Sequence, residues 1–510
     1  MSGLLRTIVL VAVIGAVSSA PADAFTIANQ LPTSLFNLLS VGVLTAVIVP
    51  AIARSRSDEF VSKLITLGSV LLLVATMGAA AVTPALVRLQ LPQGGDQAAL
   101  ATAFAFWCVP QLFFYGLYAL VGETLNARGA FGPHAWAPIV NNLAAIAGLL
   151  CIAIVLGTDL SDVADWSPTM IAALGGTMTA GIALQAVAVC FFWRRTGLRF
   201  RFDFGWRGVG FRAMGYTAGW TLMMALVSLA ASFFQNRIVN SVSGEASAVT
   251  VMSNAWLVFM LPFSLIVISI GTPYFTRFSH DVAENNHVRL RADFERSIRL
   301  LGILVVGSLA ALVAASIPAS RIFTLSASDA REAAVVLCAY LLGLLPLAIQ
   351  YIVLRVYYAF GDTRTPFLLT LVQCAFVIGG SSVAWALAES DVILTGHLAA
   401  AVALAQSCAS VAQLLVSLFL VRRHLGRLEP GRWVWPLARN AAAAVPASAA
   451  GFATFMMIGG ESGWALSSQV AGAAGSVVIG SVSIVVYCTT LALFRTPELE
   501  QAWRLLFRRR

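Results

Sequence analysis

Fourteen long apolar stretches follow one another along these 510 residues, and that succession limits the fold more than any single motif does. A helix that crosses a bilayer needs about 20 mostly apolar residues. The stretches lie near 4–30, 32–53, 61–87, 97–122, 134–156, 169–193, 213–235, 247–272, 298–318, 333–358, 366–388, 394–421, 434–459 and 468–494. Only 11% of residues are charged, against roughly 25% in a soluble domain. With 59% hydrophobic residues and a mean hydropathy of +0.86, the chain has more apolar surface than a water-soluble core can hide. The expected fold class is an all-α polytopic membrane protein of about 14 transmembrane helices. The first stretch also fits a signal peptide: Arg6, an apolar run, then Ala22-Asp23-Ala24 as a cleavage site.

Charge tests the span count. With the N-terminus in the cytoplasm and sides alternating, 28 of the 32 Lys and Arg fall inside. The outer loops keep Arg88, Arg237, Arg321 and Arg331, while acids divide 12 inside and 11 outside. The positive-inside rule concerns Lys and Arg in short loops, and this asymmetry satisfies it. Both termini are then cytoplasmic. The net charge of +9 does not point to nucleic acid, because the arginines sit between apolar spans and form no basic domain. The basic inner loops, 194–212, 277–299 and 422–439, read as topology signals and lipid-headgroup contacts.

The chain also repeats itself. Pro50, Arg54 and Asp58 end the second span as P-x3-R-x3-D, and Pro273, Arg277 and Asp281 end the eighth in the same way, 223 residues later. Pro110, Tyr115, Arg128 and Phe131 match Pro346, Tyr351, Arg364 and Phe367 at an offset of 236. Each offset crosses six spans, so the repeats run parallel, related by an axis along the membrane normal. The expected organisation is an N-lobe over 1–195, a basic linker over 196–212, and a C-lobe over 213–422. Two further helices over 423–494 and a short basic tail over 495–510 complete it. Two facing six-helix lobes suit an alternating-access carrier.

Catalytic signatures are missing from the sequence. There is no Walker A loop around the sole lysine, Lys63, and no HExxH or GxSxG pattern. The five histidines are scattered and the seven cysteines stand singly in apolar stretches, with no CxxC. No enzyme activity, cofactor or metal is expected.

Polar residues at membrane depth are costly, and so they mark candidate sites. In the first half these are Asp23, Asn29, Glu123, Asn126, Asn141 and Asn142. In the second they are Gln235, Asn236, Arg237, Asn240, Asn254, Arg355, Asp362 and Arg364. Arg355 has two readings: snorkelling to the inner headgroups, or facing a cleft where its fork takes a pair of phosphate oxygens. Asp362 and Arg364 are expected to pair in a tight inner turn. Pro50, Pro110, Pro262, Pro273 and Pro346 are candidate hinges, since proline removes a helix hydrogen bond.

Several of these segments resemble the MurJ (MviN-type) lipid II flippases. The opening, Ala22-Asp-Ala-Phe-Thr-Ile-Ala-Asn29-Gln-Leu-Pro32 and then Gly42 to Pro50, is similar to that family's start. Gly122-Glu-Thr-Leu-Asn126-Ala-Arg128-Gly-Ala-Phe131 with Asn141-Asn142 resembles its fourth-to-fifth helix segment, and Pro262, Pro273 and Arg277 its eighth helix. The most specific match is Arg355-Val-Tyr-Tyr-Ala-Phe-Gly-Asp362-Thr-Arg-Thr-Pro366, to R-x-x-Y-A-x-x-D-T-x-T-P. The small-residue style is similar to actinobacterial members.

The resemblance implies a MOP-superfamily (MATE-like) fold of two six-helix lobes in a bacterial cytoplasmic membrane. It also implies transport of a polyprenyl-diphosphate-linked sugar-peptide to the outer leaflet, with the last two helices holding the lipid tail. Cleft candidates are Arg355, Asn29, Asp23, Asn126, Asn141, Asn254 and Arg237. Structural or gating candidates are Arg128, Asp362, Arg364, Pro50, Pro273 and Pro346. Partners would be that lipid, membrane lipids and cell-wall synthesis proteins.

There are departures from the family pattern. Many members carry arginines in the first helix and an Arg pair with a Glu early in the second. Here the stretch from Ser34 to Gly42 has neither, and an Ala-Asp-Arg-Leu segment of helix eight is Ala255-Trp-Leu257-Val. The first helix also starts late, so a preceding piece is expected. The rival functions are a flippase for another polyprenyl-linked glycan, a MATE-like cation or drug antiporter, and a non-transporting scaffold.

Overall fold

A computed structural model describes residues 2–14, 19–39, 58–91, 94–127, 130–156, 162–197, 200–205, 211–242, 248–390, 392–426 and 429–494. Among them the secondary structure is helical, with no strand. Eleven helices among the described residues are long and apolar enough to cross a membrane. The expected total of fourteen is therefore not reached on that criterion. The second expected span, 32–53, lies largely outside the described residues, and the helix at Val434–Met457 falls short in apolarity rather than length.

The chain divides into two compact units, Met1–Thr250 and Val251–Arg510. The first contains α1 (Ser2–Ile14), α2 (Ala20–Leu39), α3 (Asp58–Gln90), α4 (Gly95–Cys108), α5 (Gln111–Ala127), α6 (Phe131–Leu156), α7 (Pro168–Phe191) and α8 (Phe211–Val242). Within it α6 packs on α7 and α1, α2 on α4, and α3 on α5 and α8. Large side chains point outward from these helices, among them Ile154 at 85% and Phe191 at 82% exposure. Such surface is stable only against lipid.

One expected boundary moves. By apolar length alone the first span runs from 4 to 30, through Asn29, and the second starts at Pro32. In the structure α1 ends at Ile14, and Ala20–Leu39 is a separate helix with Pro32 inside it. The start signal is local: the Ser19 hydroxyl accepts the Ala22 N–H at 3.3 Å, and Pro21 occupies the first turn. Pro32 is tolerated because neighbouring helices re-satisfy freed backbone groups in a membrane bundle. Asp23 and Asn29 therefore belong to the second helix. Ala22, Asp23 and Ala24 are buried in it.

The second unit contains α9 (Ala248–Pro262, which begins in the first), α10 (Ser269–Ala283), α11 (His287–Ala314) and α12 (Ser316–Arg321). It continues with α13 (Ala327–Leu341), α14 (Leu344–Ala359), α15 (Arg364–Glu389), α16 (Leu398–Leu425), α17 (Val434–Met457) and α18 (Gln469–Leu493). A π-helical turn, Phe263–Ile268, joins α9 to α10 just after Pro262. Proline removes the N–H that would continue the α ladder, and the wider turn absorbs the defect.

Small residues set helix approach here. Lipid tails are as apolar as leucine, so close packing rather than hydrophobic drive holds such helices together. A Cβ on Gly307 would meet the Tyr487 ring at 2.8 Å, and one on Gly451 would meet Ala314 Cβ at 2.6 Å. The Tyr487 hydroxyl donates to the Ile303 carbonyl at 2.9 Å, fastening α18 to α11.

Both units break one apolar span at a similar place. Gly95–Asn126 is interrupted at Val109 and Pro110, between α4 and α5. Ala327–Ala359 is interrupted at Leu342 and Gly343, between α13 and α14. These are the fourth spans of the two sequence repeats, and Pro110 and Pro346 sit in or just after the breaks. Proline fits the start of the new helix because its missing N–H has no intrahelical partner there.

Candidate functional site

In the first unit, several polar side chains inside the bundle hydrogen-bond to one another. Asp23 is 2% exposed, and one carboxylate oxygen accepts both the Thr250 N–H at 2.9 Å and the Thr250 hydroxyl at 2.6 Å. The Thr26 hydroxyl lies 3.0 Å from the same threonine oxygen. A carboxylate buried this deeply needs charge-assisted donors to offset its lost water. Six residues further along α2, Asn29 Oδ1 accepts from Gln111 Nε2 at 3.3 Å. Gln111 also donates to the Thr179 hydroxyl at 3.2 Å, and that hydroxyl donates to the Trp107 carbonyl at 2.6 Å. Trp107 lies in the last turn of α4, where carbonyls run out of intrahelical N–H partners.

A second network joins α3 to α8. Asn236 Nδ2 donates to Gln90 Oε1 at 2.8 Å, and Asn240 Nδ2 to the Gln90 carbonyl at 3.1 Å. Arg237, the next residue on α8, is exposed. Asn141 is buried on α6, where the missing Cβ of Gly181 makes room for its side-chain oxygen. Asn126 is half-buried in the last turn of α5. Arg128 and Pro50 lie outside the described residues.

In the second unit, Arg355 is half-buried on α14. Its Nη2 donates to the Tyr351 hydroxyl one turn back. Its guanidinium lies 4.4 Å from the Tyr351 ring centre and 5.4 Å from that of Phe275 on α10. Tyr351 is itself seated by Gly271, where any Cβ would fall 2.4 Å from the ring, and by the edge of Phe263. No carboxylate among the described residues forms an ion pair with Arg355. Two aromatic faces and one hydroxyl thus fix a guanidinium that keeps its charge and several donors unclaimed, an arrangement suited to an oxyanion. Asn254 on α9 is half-buried, and its Nδ2 has no hydrogen-bond partner.

The turn after Arg355 is a helix cap. Asp362 accepts the backbone N–H groups of Arg364 and Thr365, each at 3.0 Å, and the Thr365 hydroxyl at 2.6 Å. Arg364 thus meets Asp362 through its main chain, at the start of α15. Pro273 is exposed midway along α10, and Pro346 is half-buried in the first turn of α14.

Gln90, Gln111, Thr179 and Thr250 are not among the candidates drawn from the sequence. The signal for the two glutamines was present: Gln111 is an amide within an apolar span, and Gln90 follows one by three residues. The threonines gave none, since a hydroxyl bonding to its own helix costs little.

The profile of the family described as Lipid II flippase MurJ matches residues 10–475. The chain belongs to the MurJ family. A probable lipid II flippase MurJ of Synechocystis sp. is 25% identical over 407 residues, covering 77% of this chain and 72% of that protein. One from Haemophilus influenzae is 27% identical over 416 residues, covering 74% and 76%. A solved lipid II flippase MurJ in an inward closed conformation superposes with a TM-score of 0.71 at 19% identity, covering 97% of this chain and 96% of the other. An inward-facing multidrug resistance MATE transporter of the MOP superfamily gives 0.67 at 16% identity, covering 84% and 95%. The fold is therefore that of MurJ and of the MOP transporters, a multi-pass membrane protein. Members of the MurJ family are named as flippases, transporters rather than enzymes.

Proposed function

We propose that this chain carries lipid II, a polyprenyl-diphosphate-linked sugar-peptide, from the inner to the outer leaflet by alternating access. The observation that carries the reading is Arg355, a guanidinium fixed by Tyr351 and Phe275 with no carboxylate partner among the described residues. Family membership supplies the substrate class. In this reading Arg355 takes the diphosphate, Asn29, Asn126, Asn141, Asn254 and Arg237 replace water around the sugar-peptide, and Asp23 braces α2. Arg128, Asp362, Arg364 and the prolines shape the moving ends. The lobes follow the boundaries 1–195 and 213–422, with the lipid tail along α17 and α18, and both termini lie in the cytoplasm.

The driving force is the membrane potential. Moving an anion out of a negative cytoplasm is downhill by ~2.3 kcal/mol per charge per 100 mV. A second reading, another polyprenyl-diphosphate glycan as cargo, is favoured by one observation. The stretch from Ser34 to Gly42 lacks the arginine pair of many members. Complementation separates the two. Expressed in a bacterium depleted of its own lipid II flippase, the chain should restore growth, and Arg355→Ala should not while accumulating normally in the membrane. Failure of the unaltered, correctly inserted chain would favour the other glycan. Normal growth with the alanine variant would assign Arg355 to headgroup contact.

A further inference from the structure

The end of α10 carries a group of side chains that the transport reading does not use. His280, Asp281 and Glu284 each offer one ligand atom, and the three atoms lie within 4.8 Å of one another. The backbone beneath them is closely specified. Asn286 N–H bonds the Asp281 carbonyl at 2.8 Å and Asn285 N–H the Val282 carbonyl at 3.1 Å, with Asn285 at φ 55°. This is the Schellman pattern that ends a helix with a left-handed residue. Asn286 then caps α11 by accepting the Arg289 N–H at 3.0 Å. The turn holds the three side chains on a fixed frame.

Asp281 supplies an independent observation. It is 3% exposed, and its Oδ2 is buried with no hydrogen-bond partner. Among the charged groups around it, Asp293 and Glu284 are acidic, and Arg289 and His280 oppose them. Arg289 reaches only to 4.0 Å from the other oxygen, Oδ1, and is itself 64% exposed. A buried carboxylate oxygen without a donor is costly unless a cation meets it. His280 Nδ1 lies 3.4 Å from Glu284 Oε2, with both side chains at least half exposed and free to adjust.

We propose that His280, Asp281 and Glu284 form a site for a divalent first-row transition ion. One imidazole and two carboxylates on one side of an ion suit Mn²⁺, Fe²⁺ or Zn²⁺ and leave coordination positions open to water or an anion. Ligand atoms about 2.0–2.2 Å from a shared ion stand roughly 3.0–3.5 Å apart, so the exposed His280 and Glu284 side chains would close on Asp281 as the ion binds. The ion supplies the charge that Asp281 Oδ2 lacks and ties the last turn of α10 to Glu284 in the turn that follows. The site goes beyond the transport reading and does not depend on it.

The test uses the full chain, purified in lipid nanodiscs and stripped with a chelator. Titration with MnCl₂, followed by loss of the free-ion electron paramagnetic resonance signal, should show one saturable site per chain. His280→Ala and Glu284→Gln, both at exposed positions, should each weaken it at least about tenfold. Arg289→Gln, which removes the competing cation, should leave binding equal or tighter, and ZnCl₂ should displace Mn²⁺. Absence of saturable binding, or binding untouched by both ligand substitutions, overturns the proposal. Binding abolished by Arg289→Gln alone would also overturn it, by showing that the arginine and not the triad organises the turn.

Discussion

An arginine in an apolar helix persists by snorkelling to water, by pairing with a carboxylate, or by holding its charge for a ligand. Arg355 lies against Tyr351 and Phe275 and has no carboxylate partner among the described residues. Its planar fork matters in that setting, because a lysine offers a point charge that neither stacks nor binds bidentately. Arg355→Lys should leave membrane abundance unchanged yet slow lipid II translocation in proteoliposomes by more than about tenfold, roughly 1.4 kcal/mol of lost stabilisation. A lysine variant of full activity would mean that charge alone suffices. Asp23 makes the contrasting case, a buried carboxylate whose Oδ1 takes both donors of Thr250. Interhelical hydrogen bonds in membranes average only ~0.6 kcal/mol. This one ends on a buried carboxylate, so removing the hydroxyl should cost about 1–3 kcal/mol. Thr250→Val should lower the thermal midpoint clearly and Thr250→Ser should not; equal midpoints would show that the backbone N–H alone holds Asp23. Asp23, Asn29 and Arg355 were legible because charged and amide groups at membrane depth stand out. Their partners were not, since which helix faces α2 or α14 is tertiary information that no local pattern contains.

At the level of helices, spans are read from apolar length and their ends from caps. Where the two disagreed, the cap decided. The apolar run up to Asn29 hid a helix start that Ser19 and Pro21 mark, and Pro32, a breaker in water, sits inside α2. The breaks at Val109–Pro110 and Leu342–Gly343 were foreshadowed by the Pro110 and Pro346 pairing, although Gly343 rather than Pro346 makes the second one. The π-turn after Pro262 was legible only as a possible hinge, because proline states that a bond is lost and not how the chain recovers it. Helix approach is a stronger lever for testing. Gly451 leaves no room for a side chain against Ala314 and Ser483. Gly451→Leu should therefore prise α17 from α11 at a cost of about 1–3 kcal/mol. Limited proteolysis near 459–468 would report it as faster cleavage than in the parent chain, and an unchanged rate would mean that the bundle repacks around the added side chain.

For the molecule as a whole, the decisive quantity is the sign and size of the electrical work. In the proposed orientation 28 of the 32 basic residues lie on the cytoplasmic face, and the potential across a bacterial membrane is negative on that face. An anionic headgroup moved to the other face gains ~2.3 kcal/mol per charge at 100 mV. With 1.36 kcal/mol per factor of ten, that is about a fiftyfold shift in the leaflet ratio for each charge moved. Proteoliposomes of uniform orientation, with the voltage set by a potassium gradient and valinomycin, measure this directly. Inside-negative voltage should accumulate lipid II in the outer leaflet, zero voltage should equalise the leaflets, and reversed voltage should draw the lipid inward. A facilitator that moves the headgroup together with a compensating cation would give the same ratio at every voltage. That outcome would remove the potential as the driving force while leaving the carrier fold intact, because the contacts proposed for Arg355 and the asparagines do not depend on the charge that accompanies the headgroup.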